Sequence, residues 1–143
     1  MIRPLLVALV CATPLLAEPR EEAELRKTFE SLQGDWGVKN MTVAGNAAAP
    51  AALRGMGFSF DGDRLLRTNQ PEEAARLNID VSGRIPKVEF TDRYGITMSG
   101  VIMRSGDRVF LCVAEAGDRP PPTTFESTAD NKAVLIEMTR ARR

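Results

Sequence analysis

The sequence predicts an all-β domain in which eight antiparallel strands close into a small up-and-down barrel behind one short N-terminal helix. From residue 36 onward, apolar residues recur with a period of two, which is typical of half-buried strands. Tight-turn residues separate these short segments, and eight strands are enough to close a sheet and remove its exposed edges. The predicted strands are residues 36–43, 57–60, 64–69, 76–81, 87–91, 97–104, 108–114 and 133–140.

The helix is predicted over residues 18–32. Glutamates are concentrated in its first turns, where carboxylates favour a helix N-terminus, and Leu25, Phe29 and Leu32 share one face at helical spacing. Gly34 then ends the helix. We expect its apolar face to pack against the barrel, across one of its ends.

Two longer segments interrupt the strands. Residues 47–54 have Pro50 near the first turn of a predicted short helix, which would be either a lid over the barrel or a simple connection. Residues 117–125 contain three consecutive prolines and predict an extended path. This second segment would either present a recognition surface or tie the last connection to the barrel rim, with Phe125 as its anchor.

The first 17 residues have the layout of a signal peptide, a positive charge followed by an apolar run too short to cross a bilayer. Cleavage is expected after Ala17, with Ala12 as the alternative. Lipidation at Cys11 is a further alternative, although the bulky residue before it is unfavourable. We therefore expect export to the periplasm or the medium, no transmembrane anchor, and a mature chain made of the helix and a barrel domain over residues 33–143.

The composition excludes several chemistries. The chain has 19 basic and 19 acidic residues, and the basic ones are scattered, so no nucleic-acid partner is expected. It contains no histidine, which removes Ser-His and Cys-His pairs, most catalytic zinc sites and axial histidine ligation of haem. Cys112 would be alone after cleavage and is expected to be a small buried hydrophobe. We predict no enzyme activity, no catalytic residue, no metal and no cofactor.

Two carboxylate pairs invite a functional interpretation. Asp61 with Asp63, and Glu72 with Glu73, are acid/base or calcium-binding candidates by residue type. Both pairs lie in turn-like settings with few other oxygen ligands. We interpret them as solvated turns.

Several motifs resemble a small conserved domain of uncharacterised function that is abundant in planctomycetes. The resemblance extends from residue 32 to residue 140 and implies a lipocalin-like fold with no established activity. This chain departs from the family pattern at Gly37, where a larger residue is usual, and in having three prolines after Arg119. The matching segments are Leu-Gln-Gly-Asp-Trp at 32–36, residues 55–63, Leu-Cys-Val-Ala at 111–114, Arg119-Pro120, Thr124-Phe125 and the closing apolar strand.

The segment Gly34-Asp35-Trp36 also matches the Gly-x-Trp that opens the first strand of lipocalins. In that family the tryptophan packs at the closed end of the barrel against an arginine from the last strand. The resemblance implies that Arg140 is this partner, and strand alternation places it on the same face as Ile136 and Met138. We interpret the pair Trp36 and Arg140 as structural.

The lipocalin comparison further suggests a small apolar ligand inside the barrel, whereas the related nitrobindin-type barrels bind haem through a histidine that this chain lacks. The alternative is an interior filled by side chains. In that case we expect a protein-interaction module, an inhibitor or an assembly component that binds an envelope protein. The candidate cavity-lining residues, for which packing in a plain core is the favoured alternative, are Phe58, Phe60, Phe90, Met98 and Met103.

Overall fold

A computed structural model describes residues 18–117 and 119–141 of the chain. The predicted signal segment, with Cys11 and both candidate cleavage points, lies outside these residues. Within them the helix α1 spans Glu18–Leu32 and a short 3-10 helix spans Pro50–Leu53. The strands are β1 (Gly34–Val43), β2 (Asn46–Ala47), β3 (Gly57–Asp61), β4 (Arg64–Arg67), β5 (Gln70–Asp80), β6 (Lys87–Thr91), β7 (Thr97–Ser105), β8 (Arg108–Glu115) and β9 (Val134–Arg140).

Eight of these strands form a closed antiparallel barrel. From β3 to β9 each strand pairs with the next one along the chain, and β1 pairs with both β3 and β9. The two-residue β2 only extends the hairpin at the far end of β1. The predicted all-β barrel with a short N-terminal helix is therefore confirmed, and α1 has the predicted bounds. No helix among the described residues is both long and apolar enough to cross a bilayer.

The largest difference from the predicted strands is in β5. This strand begins at Gln70 rather than at residue 76, because Arg67 pairs with Gln70 and Leu65 pairs with Ala75 across a register shift. Pro71 is tolerated near the start of the strand, where a missing backbone donor costs little. Glu72 and Glu73 thus belong to a strand, and the prediction of a solvated turn for this pair was wrong.

A bulge in β1 changes which residues face the interior. The pairing with β9 shifts between Val38 and Asn40, which leaves Lys39 as the extra residue. Trp36 and Val38 face inward before the bulge, whereas Met41 does so after it. The bulge therefore lets one strand supply interior side chains at both ends of the barrel.

The barrel has an inner core and a smaller outer apolar layer. The inner core contains the largest buried side chains, among them Trp36 and Leu32 of α1. The outer layer lies on the far face of β7, β8 and β9, where Phe125 packs with Val101 and Cys112. Phe125 also meets Phe110 edge to face, with ring centroids 6.4 Å apart. The proline-rich connection is thus held against the barrel wall.

Candidate functional site

Trp36 and Arg140 lie together at one end of the barrel. The two residues are direct partners in the pairing of β1 with β9, and the Arg140 guanidinium carbon lies 4.1 Å from the centroid of the Trp36 ring. Trp36 is buried, and its indole Nε1 donates a hydrogen bond of 2.7 Å to the carbonyl of Leu32. The pair therefore links the first and last strands to the end of the helix.

The same end of the barrel is closed by the C-terminus of α1. Arg140 donates hydrogen bonds to the carbonyls of Gln33 and Ser31, and Arg104 donates another to Ser31. Two guanidinium groups thus satisfy carbonyls that have no partner within the helix, and their charge complements the helix dipole. Arg104 also lies 5.5 Å from the Trp36 ring centroid. No sequence motif singled out Arg104, although its alternation with Ile102 in β7 places it on the inner face.

A cavity of about 460 Å³ opens at the opposite end of the barrel. This volume falls within the range of roughly 300 to 1,000 Å³ that is usual for small-molecule sites. Each of the eight barrel strands contributes to its wall, which is mainly apolar. The aromatic and methionine side chains of the wall are Met41, Phe58, Phe90, Tyr94 and Met98.

The structure distributes the five candidate lining residues over three places. Phe58, Phe90 and Met98 line the cavity. Phe60 is buried in the inner core, opposite Gly34 of β1, and lies outside the cavity wall. Met103 is 40% exposed on the outer surface, so the prediction that it lines the barrel interior was wrong. Met103 is five residues from Met98 on one strand, and an odd separation puts the two side chains on opposite faces.

Charged side chains surround the mouth of the cavity. The Arg93 guanidinium lies 3.3 Å from the carboxylate of Glu73 and donates a hydrogen bond to the Tyr94 hydroxyl. This hydrogen bond, with the nearby carboxylates, raises the pKa of Arg93, so the group stays cationic. One oxygen of Asp92 accepts the backbone N–H groups of Tyr94 and Ile96, both at 2.9 Å. The turn between β6 and β7 is thereby held in place at the mouth.

Exposed apolar side chains also collect at the mouth. Val43 is 43% exposed, Tyr94 67% and Ile96 46%, and all three border the cavity. Among the large apolar side chains in the described part of the chain, only Met103 is similarly exposed away from the mouth. We call Val43, Tyr94 and Ile96 the apolar rim. A cluster of exposed apolar side chains is typical of a surface that binds a ligand or another protein.

The other sequence candidates lie away from the cavity. The 3-10 helix packs outside β1, with Leu53 buried, and borders a surface groove rather than the cavity. Asp61 and Asp63 are exposed at the turn between β3 and β4, as predicted for that pair. Within residues 18–117 and 119–141, no group of three or more cysteines and carboxylates is arranged to hold a metal ion.

Cys112 lies in the outer apolar layer, also away from the cavity. The residue is fully buried, and its thiol lies 3.6 Å from the carbonyl of Glu126. Burial raises the pKa of the thiol, which keeps it protonated.

Comparisons of the chain with protein-family models, with curated proteins and with solved structures found no match. The resemblance to the planctomycete domain therefore stays a prediction. The geometry of the barrel is the basis for the proposals below.

Proposed function

We propose that this chain is an exported, lipocalin-like binding protein that carries a small apolar molecule in the open end of its barrel. The observation that carries the proposal is the cavity of about 460 Å³ with a mainly apolar wall. A site of this size and lining favours desolvation of an apolar ligand. The apolar rim extends the same surface outward to the mouth, where a ligand would first make contact.

We assign the site to binding rather than to catalysis. The strands direct mainly apolar groups into the cavity, and these offer no nucleophile or general base. At the mouth, Arg93 is engaged by Glu73 and Tyr94, and Asp92 is engaged by two backbone N–H groups. These contacts stabilise the shape of the entrance.

The first test is native mass spectrometry of the protein purified gently from its own exported compartment. A discrete added mass that disappears on denaturation would support the carrier, and the released compound could then be identified. A bare mass, together with failure to bind the fluorescent apolar probe N-phenyl-1-naphthylamine, would contradict it.

A matched pair of variants locates the binding. Ala75 lies on the cavity wall, whereas its neighbour Ala74 is outside the cavity lining. The substitution Ala75→Phe places a ring where the structure has open space, so we expect the protein to remain folded and the probe to be excluded. Ala74→Phe adds the same group on the other face of β5 and should leave probe binding unchanged. Equal probe binding by both variants would place the probe outside the barrel.

The apolar rim supports a second candidate, a module that binds an envelope protein through the mouth of the barrel. Protein-interaction sites commonly expose apolar and aromatic groups of this kind. The two functions respond differently to Ala75→Phe, which fills the cavity and leaves the rim residues unchanged. A rim that binds protein would keep its affinity for an isolated partner, while the internal site would lose the naphthylamine probe.

A further inference from the structure

We propose that the ligand is a single-chain anionic amphiphile, with its alkyl chain in the cavity and its carboxylate on Arg67. This inference rests on the proposed carrier function and names the ligand class. It follows from the placement of one arginine relative to the apolar wall, and from the contacts that already engage the other charged groups at the mouth.

Arg67 is placed on the cavity wall by the alternation of β4. Leu65 and Arg67 are two residues apart and both line the cavity, while the intervening Leu66 borders only the groove outside it; Arg67, at the end of the strand, reaches that groove as well. Leu65 is buried, whereas Arg67 is exposed at the end of the strand. The strand therefore leads from the apolar interior to a cation at the entrance, which is the polarity of an amphiphile.

The Arg67 guanidinium has little to bind within the protein. Its Nη1 donates one long hydrogen bond, 3.4 Å, to the side-chain amide oxygen of Gln70. Among the residues that the structure describes, no carboxylate lies within 4.0 Å of Arg67. By contrast, Arg93, which also lines the cavity, is paired with Glu73. Of the described residues that line the cavity, Arg67 is thus the cation left for a ligand.

A carboxylate suits this group better than a neutral or a cationic head. A guanidinium presents its N–H donors in a fork that matches the two oxygens of a carboxylate. A neutral head would leave the charge unpaired, and an ammonium would be repelled by it. Two carboxylates line the cavity and would have to attract an ammonium instead: Glu73 is already paired with Arg93, and two backbone N–H groups already bind one oxygen of Asp92.

The test compares three probes that share a ten-carbon chain: decanoate, decanol and decylamine. Each probe is titrated against N-phenyl-1-naphthylamine bound to the full mature chain, at concentrations below the aggregation threshold of that probe. Displacement of the naphthylamine gives the affinity. We expect decanoate to bind about fivefold more tightly than decanol, the factor for an ion pair that keeps contact with water. Added salt should reduce this preference.

Two variants assign the preference to one residue. We expect Arg67→Gln to remove the advantage of decanoate and to leave the affinity for decanol unchanged. Arg64→Gln removes the same charge from the same strand, at a residue outside the cavity lining, and should preserve the advantage. Thermal melts of both variants establish that the barrel is folded.

The possible outcomes distinguish a wrong ligand class from a wrong carrier function. If none of the three probes displaces the naphthylamine, the carrier function itself is contradicted. If decanol binds as tightly as decanoate, or if decylamine binds more tightly than decanoate, the proposed carrier function is kept and the anionic ligand is rejected. An equal loss in Arg64→Gln and Arg67→Gln would also reject it, because the effect would then come from overall charge.

Discussion

Removing the Trp36 side chain should destabilise the barrel more than most single substitutions. The residue is 1% exposed and contacts the end of α1 as well as the last strand. For Trp36→Ala we expect a loss of about 3 to 5 kcal/mol in the free energy of unfolding, the usual range for truncating a buried aromatic side chain. The helix should loosen with it, because the indole N–H would no longer bind the Leu32 carbonyl.

A second substitution divides this loss into its parts. Trp36→Phe keeps an aromatic ring in the core but removes the 2.7 Å hydrogen bond from Nε1 to Leu32. A net hydrogen bond contributes about 1 kcal/mol, and a cation–π contact with a partly desolvated arginine about 1 kcal/mol, part of which a phenyl ring retains. We therefore expect Trp36→Phe to cost roughly 1 to 2 kcal/mol.

The assay is urea and thermal unfolding followed by far-ultraviolet circular dichroism, since the substitution removes the only tryptophan of the chain. At roughly 3 to 5 °C per kcal/mol for a domain of this size, Trp36→Ala should lower the Tm by about 10 to 25 °C. A loss below about 1 kcal/mol, comparable to a surface substitution, would refute the closed-end packing.

Gly100→Ala should destabilise the protein by about 1 to 3 kcal/mol or more, because the new Cβ would lie 1.8 Å from the carbonyl oxygen of Cys112; Gly83→Ala, with no contact below 3.6 Å, is the control in the same melts. Arg140→Met should cost about 1 to 3 kcal/mol, because the Gln33 carbonyl loses its side-chain donor and the Ser31 carbonyl keeps only Arg104, and hydrogen exchange should accelerate first in α1; uniform acceleration would argue against a local role. Because burial raises the pKa of the Cys112 thiol above its ordinary 9.0, the unfolded chain ionises first, so the stability of the native protein should fall as pH rises above about 9. Cys112→Ala should lack this component of the fall, and parallel pH profiles for the two proteins would contradict the assignment.

Local sequence signals were sufficient for most of the fold. The bounds of α1 follow from glutamates in its first turns, from Leu25, Phe29 and Leu32 on one face, and from Gly34 at its end. The barrel strands follow from alternation and from tight turns, which depend on residues close together in the chain. The contact of Trp36 with Arg140 came from a family resemblance combined with counting by twos along β9.

The cavity lining was predicted less well than the fold. Alternation along β7 puts Met98 and Met103 on opposite faces, but the prediction grouped them by apolar character alone. Of the two, only Met98 lines the cavity. Phe58 and Phe60 share a face, but they lie at different depths, and only Phe58 borders open space. How deep a side chain lies in the barrel depends on where the neighbouring strands end. The sequence of one strand does not contain this information.

By itself, the sequence determined an all-β chain of eight barrel strands with a helix before them, because these features depend on local periodicity and turn chemistry. Tertiary structure alone decided the early start of β5, which carries Glu73 to the mouth, and the bulge at Lys39, which turns Met41 into the cavity. It also decided that Arg93 pairs with Glu73 while Arg67 has no carboxylate partner among the described residues. These features depend on the register between strands and on barrel closure, which bring together residues that are distant in the chain.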